Sequence, residues 1–330
     1  MTVSASLLPL HVAPMEGLTG RVWRRVHARH FGGADSYWIP FVTPTRETRF
    51  TPRQMLELEP AVNIGFRAVP QLLTRRVEDF VWAAKALADL GYDEVNLNLG
   101  CPAGTVVAKG KGSGFLREPE ALDDFLNAIF SAGIPIPISV KTRVGFANED
   151  EFDRLVTIYN RYPMKSLTVH PRLKSDLYKG SVRLDTLDRL YPAMKMPIIY
   201  NGDIVTREDA EKIALRYPKL DSLMIGRALI ADPALMRKIK GGRPATREEL
   251  RAFTEDLYES FVIAFENRKN SMMRMKEYWF YQLNLFEGSE KKGKAIFKSK
   301  TFEDFKAAEA AVFDELDMRE HAVCGWYKAL

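Results

Sequence analysis

Residues 94–102 read Glu94-Val95-Asn96-Leu97-Asn98-Leu99-Gly100-Cys101-Pro102. Glu94–Leu99 is a short apolar-rich stretch with strand character, and Gly100, Cys101 and Pro102 end it in a turn. Helical patterns flank it at Val77–Leu90 and Glu120–Ser131. Gly91 and Gly133 stand just past those patterns, as helix stops do. Further out the same rhythm continues. Candidate strands fall at Leu10–Ala13, Tyr37–Val42, Phe66–Leu72, Pro137–Lys141, Ser166–His170, Pro197–Tyr200 and Ser222–Ile225. Helical patterns lie between them at Arg21–Phe31, Glu149–Tyr162, Leu184–Tyr191 and Arg207–Tyr217, the last opened by Thr206 as a cap. The segment between Val42 and Phe66 holds three prolines and reads as a loop with one short helix near Arg53–Glu57.

Eight strands alternating with helices imply a parallel sheet. Fitting them into about 230 residues favours a (β/α)8 TIM barrel over a doubly wound sheet. The strand ends carry the stronger clue. Glu16, Gln71, Asn98, Lys141, His170, Asn201 and the pair Gly226-Arg227 each close or follow a strand. In such a barrel all C-terminal strand ends meet at one mouth, so these residues are expected to share one site. The pattern stops near Lys240, and Gly241-Gly242-Arg243-Pro244 reads as a linker. Helical spacing returns at Glu248–Asn267, Met272–Leu285 and Thr301–Arg319. The expected organisation is a barrel domain over 1–242 and a small all-helical domain over 243–330.

Composition narrows the function classes. A hydrophobic share of 46% with 28% charged residues excludes a disordered, collagen-like or coiled-coil chain. Two cysteines, Cys101 and Cys324, are too few for a disulfide framework and indicate a reducing, cytoplasmic setting. No apolar run reaches the roughly 18 residues of a membrane span, and the N-terminus lacks the features of a signal peptide. A net charge of +5 suits a polyanionic partner as well as an ordinary basic protein. No Cys/His cluster has metal spacing, and neither a Walker A loop nor a Ser nucleophile elbow is present. A monomer is the expected state.

Several residues stand out for their chemistry. Cys101 sits in the turn at the expected mouth. The run Lys109-Gly110-Lys111-Gly112-Ser113-Gly114 follows it and reads as a mobile loop able to close over the site, or as an idle surface loop. Lys141 ends a buried strand, where an unpaired ammonium is expensive. Asn201-Gly202-Asp203 and Gly226-Arg227, on the last two strands, suit a phosphate site. His27 and His30, on the first helix, are expected at the surface.

Together these residues resemble the dihydrouridine synthase family of flavin-dependent tRNA-modifying enzymes. The resemblance rests on Ala13-Pro14-Met15-Glu16-Gly17, the Gln71 strand, Asn98-Leu99-Gly100-Cys101-Pro102 and Val140-Lys141-Thr142-Arg143-Val144-Gly145. It continues through His170 with Tyr178-Lys179-Gly180, Asn201-Gly202-Asp203 and Met224-Ile225-Gly226-Arg227, in order across about 1–240. Arg274-Met275-Lys276-Glu277-Tyr278 is similar to the tail motif of the bacterial C-type branch, which acts on uridine 16 of the D-loop. The resemblance implies a barrel holding FMN, with NADPH as electron donor and a uridine of tRNA as substrate. It assigns Pro14, Met15 and Glu16 to the flavin lining and Gln71, Lys141 and His170 to the isoalloxazine. Asn201, Gly202, Asp203, Gly226 and Arg227 would hold the phosphate end. Cys101 would be the proton donor, Asn98 and Arg143 would face the uracil, and Arg274 and Lys276 would contact tRNA. The chain departs from the family at Pro40, at Pro171 after His170, and at Ser113-Gly114-Phe115-Leu116. The competing readings are an FMN barrel acting on a small molecule, as a dihydroorotate dehydrogenase does, a synthase acting on ribosomal RNA, and an RNA-binding module on an inactive barrel.

Overall fold

The computed structural model describes residues 8–323, so Cys324 lies outside the described residues. Nine strands form one sheet, wound into a nearly closed parallel β/α barrel: β1 (Leu10–Val12), β2 (Ser36–Trp38), β3 (Ala68–Val69), β4 (Gln71–Leu72), β5 (Val95–Leu99), β6 (Ile138–Gly145), β7 (Leu167–Leu173), β8 (Ile198–Asn201) and β9 (Ser222–Ile225). A helical region follows. The expected eightfold rhythm survives the count of nine. Strands β3 and β4 are two halves of one extended segment, parted at Pro70, which has no N–H to give a ladder. The first half pairs with β2, Tyr37 opposite Ala68, and the second with β5, Gln71 opposite Asn96. One segment thereby joins both edges of the sheet.

The chain forms two compact units. One comprises residues 36–203 with 219–224; the other comprises the described residues up to 35, then 204–218 and those from 225 on. In the first unit the ladders from β4 to β9 fix which side chains point inward. Asn98 pairs with Lys141, Lys141 with Thr168, and Arg143 with His170. Neighbours in a parallel ladder point to the same side, and successive residues alternate. Thr142, of the opposite parity, bonds to Tyr159 of the helix Glu151–Tyr159 at 3.0 Å. That parity therefore faces the helices, and Asn98, Lys141, Arg143, Thr168 and His170 line the barrel interior. Val95, Leu97 and Leu99 are fully buried on the helix side. Each such side chain contributes about 1.5–3 kcal/mol through loss of water contact.

In the second unit the helix Arg21–His30 packs against Arg247–Phe265, with the Phe31 and Phe253 rings 5.3 Å apart. His27 is fully buried, not at the surface as expected. Its ring bonds to Pro233 O at 2.9 Å, and burial lowers its pKa to about 4. Helices Arg268–Gln282, Glu290–Lys298 and Phe302–Glu315 complete the tail around Trp279, whose Nε1 donates to Glu309 at 3.0 Å. Thr206 and Thr246 each close a capping box with the residue three positions on. Among the described residues no helix is long and apolar enough to cross a membrane.

Candidate active site

The barrel interior of the first unit is polar in successive layers. Gln71, Asn96 and Ser139 share the lowest one, Asn98, Lys141 and Thr168 the next, and Arg143 and His170 the layer at the mouth. Amides buried in this way need partners, and they find them in one another. Gly100 N and Cys101 N donate to Asn98 Oδ1 at 3.0 and 2.9 Å. The amide nitrogen of Asn98 then donates to Gln71 Oε1 at 2.7 Å, and Gln71 Nε2 to Asn96 Oδ1 at 2.7 Å. Asn96 donates to Ser139 at 3.0 Å, and Ser139 to the Glu94 carboxylate at 2.6 Å. Every amide in this chain has a fixed orientation, from the Cys101 turn down to a carboxylate that Arg67 and Lys165 hold at 2.6 and 2.8 Å.

The Cys101 turn is braced from three further sides. Arg143 Nε donates to Gly100 O at 2.8 Å, and Ser113 donates to Cys101 O through both its N–H, at 3.1 Å, and its hydroxyl, at 2.9 Å. The glycine-rich run is therefore not a mobile lid. Gly112, Ser113 and Gly114 are buried against the turn, within the 3-10 helix Gly112–Arg117. A Cβ on Gly112 would lie 2.8 Å from Cys101 O, and its φ of +56° also favours glycine. The small residues exist to let two backbones approach.

Two cations share the neighbourhood of the Cys101 sulfur. Withdrawal from water, reinforced by Arg143, lowers the pKa of Lys141 to about 7, and Cys101 acts in the opposite direction. Lys141 Nζ donates to Asn201 Oδ1 at 2.6 Å, while the Asn201 amide donates to Met224 O at 2.9 Å. Asn201 thus aims the ammonium. Arg143 also donates to Leu173 O at 2.8 Å and lies under the Tyr178 ring, 5.1 Å from its centroid. Tyr178, 47% exposed, stacks on His170 as well, with ring centroids 6.3 Å apart. Arg172 is fully buried; it bonds to His170, Gly180 O and Asp203. The first unit thus brings together Gln71, Asn98, Cys101, Lys141, Arg143, His170, Asn201, Gly202 and Asp203. Arg172, Asn96 and Ser113 were missed. Asn96 shares the parity of Asn98, which is the signal that would have found it.

The remaining predicted residues belong to the other unit. Ala13 N donates to Ile225 O at 2.8 Å, which sets Met15 beside Gly226: a Cβ there would lie 3.2 Å from Met15 Sδ. The loop that carries Pro14, Met15 and Glu16 is tied by Thr19, whose hydroxyl accepts from Met15 N at 2.8 Å and donates to Ala13 O at 3.0 Å. Arg227 opens the short helix Arg227–Ala231. Arg274 donates to Gly17 O at 2.7 Å and pairs with Glu277 at 2.5 Å, so the tail steadies the loop after β1. Lys276 is buried and donates to Ser299 O at 2.6 Å. Its ammonium serves the packing of the tail rather than an exposed face. Among the described residues no group of His, Cys, Asp and Glu is arranged to hold a metal ion.

Comparison with known proteins adds an independent line. The dihydrouridine synthase (Dus) family model matches residues 11–322. A Proteus vulgaris protein named tRNA-dihydrouridine synthase B is 31% identical over 232 residues, which cover 70% of each chain. A protein of the same name from Pasteurella multocida is 26% identical over 283 residues, 86% of this chain and 79% of that one. Among solved structures, morphinone reductase gives a TM-score of 0.52 at 13% identity, over 74% of this chain and 90% of its own. The old yellow enzyme from Trypanosoma cruzi gives 0.51 at 12% identity, over 72% and 89%. At such identities these two structures speak for the shared barrel alone.

Proposed function

The chain belongs to the dihydrouridine synthase family, and we propose that it reduces the C5–C6 bond of a uridine in tRNA with FMN as cofactor, NADPH as electron donor and Cys101 as proton donor. The observation that carries this reading is geometric: Asn98 holds the Cys101 turn and stands opposite Lys141 in the ladder, while Arg143 Nε donates to the carbonyl of Gly100 in the same turn. Had the thiol and the lysine opened onto different cavities, the chemistry would have no place.

The residues present fit an FMN. Its ring edge is rich in hydrogen-bond acceptors, and the mouth offers mainly donors: Gln71, Lys141 and His170. Among the described residues the buried Thr168 hydroxyl has no partner, as expected where a polar ligand completes the set. A Cβ on Gly202 would lie 2.8 Å from Val182 Cγ1, so backbone takes the room a side chain would need. We assign Gln71, Lys141 and His170 to the isoalloxazine and Asn201, Gly202 and Asp203 to the phosphate end. The resemblance also gives Pro14, Met15, Glu16, Gly226 and Arg227 to the cofactor. When bound, FMN supplies the hydride that goes to C6 of the uracil.

The chain's own residues do the rest. Lys141 places positive charge where negative charge develops on the ring, and Asn201 holds it there. Asn98 keeps one amide hydrogen beyond its bond to Gln71 for the uracil, with Arg143 beside it. Cys101 Sγ delivers the proton to C5, and its turn is braced so that the sulfur is already in position. The base has to leave its stack, which costs a few kcal/mol. Phosphate contacts from Arg274 and from the exposed Lys291, Lys294, Lys298 and Lys300 in the 243–330 segment supply the compensating affinity. Uridine 16 of the D-loop as the target rests on the resemblance of Arg274–Tyr278 to the C-type tail motif alone, whereas the matched relatives carry the B-type name. A cytoplasmic monomer meets these requirements. Site-resolved mapping of dihydrouridine in RNA from a strain lacking this protein tests the proposal. One tRNA position should lose the modification and regain it when purified protein, FMN and NADPH are added. Unchanged RNA in both experiments overturns the reading.

A further inference from the structure

Arg172 has no part in the roles assigned above, yet it is fully buried at the mouth. The ladder between β6 and β7 slips beside it: Arg143 pairs with His170, but Gly145 pairs with Leu173. The irregularity falls at Pro171 and Arg172, where a proline is tolerated because no ladder N–H is required. There the guanidinium turns back on its own strand. NH1 lies 2.9 Å from His170 Nε2, and NH2 lies 2.7 Å from Gly180 O and 2.5 Å from Asp203 Oδ2. Asp203 holds its end of this pair from a left-handed backbone, φ +38°, a conformation aspartate tolerates better than most residues.

A guanidinium has only donors and stays charged. His170 Nε2 therefore presents its lone pair to Arg172, and the proton of the neutral ring sits on Nδ1. A second proton would set N–H against N–H. It would also add a cation beside Arg172, Arg143 on β6 and Lys141 in the layer below. Tyr178 covers the ring face, and the carboxylate of Asp203 is paired with Arg172. We propose that Arg172 is a positioning residue that locks His170 as a neutral imidazole protonated on Nδ1. Whatever His170 addresses through Nδ1 is then a hydrogen-bond acceptor. That this acceptor belongs to FMN rests on the functional reading; the tautomer does not.

Nitrogen-15 NMR of the histidine rings in the protein as isolated, with its cofactor, reads the tautomer directly. His170 is identified by the resonances lost in His170→Asn. The expected pattern at neutral pH is protonated Nδ1 and unprotonated Nε2. Arg172→Lys, which still offers only donors, should keep it. Arg172→Glu, whose carboxylate only accepts, should lose it, because Nε2 then has to donate. A wild-type ring protonated on Nε2 or on both nitrogens at neutral pH overturns the proposal, as does an Arg172→Glu spectrum identical to wild type. If Arg172→Glu does not fold, the wild-type spectrum decides. No substrate is involved, so a failure to form dihydrouridine would sink the functional reading and leave this result standing.

Discussion

In the proposed reaction Cys101 and Lys141 have separate roles, and each can be tested alone. Cys101→Ala should leave flavin bound and reducible by NADPH. Oxidation of the reduced enzyme by tRNA should slow by about 100-fold or more, as expected for loss of a general acid. Stopped-flow flavin absorbance measures it, and equal rates in both proteins would remove Cys101 from the mechanism. Lys141 has a different signature. Its folded pKa of about 7 lies below that of an unfolded lysine, so the folded chain binds fewer protons between the two values. Stability therefore rises with pH across that window, and Lys141→Met should flatten the rise. Denaturant midpoints of cofactor-free protein at about pH 7 and about pH 9 make the comparison. An equal rise in both proteins would mean that Lys141 does not titrate there.

At the scale of elements, the Cys101 turn and the glycine run behave as one piece. Gly112 has φ +56° and meets Cys101 O and Val106 within 3.0 Å of an added Cβ, whereas Gly91 has φ +91° and nothing within 4 Å. Gly91→Ala should cost about 1–2 kcal/mol from backbone strain alone. Gly112→Ala should cost about 1–3 kcal/mol more, because backbone has to shift. It should also change the alkylation rate of Cys101. Chemical denaturation checks the order, and equal costs would mean that the contact is slack. The same elements show what the sequence made legible. Strand ends were readable because apolar runs stop at polar residues, and Thr206 was readable as a cap because its oxygen precedes two carboxylates. Pro70 splitting a strand was not, since strand propensity is local and pairing partners are not. The helix Glu290–Lys298 buries only Gly293 and Ile296, too few apolar positions to show a period. His27 was expected at the surface and Lys276, from the tail resemblance, at a tRNA contact, but tertiary packing gave each a backbone carbonyl and removed it from water.

For the whole molecule, the question is how a polyanion as large as tRNA is held while a single base is worked on. Phosphate contact leaves a mark that base contact does not, because each neutralised phosphate releases counterions and makes binding salt-dependent. Lys291, Lys294 and Lys298 are exposed and lie three and four residues apart, on one side of the helix Glu290–Lys298. Lys292, turned aside, pairs with Glu315 instead. Replacing the three aligned lysines with glutamine should therefore weaken tRNA binding without loss of flavin. The slope of log affinity against log salt should become shallower by about 0.7–0.9 per contact removed, or roughly 2–3 for all three. Lys292→Gln should change the slope little. Fluorescence titrations of labelled tRNA at several salt concentrations would measure both. An unchanged slope in the triple variant would mean that this face is merely solvated, and that the tRNA contacts lie elsewhere on the chain.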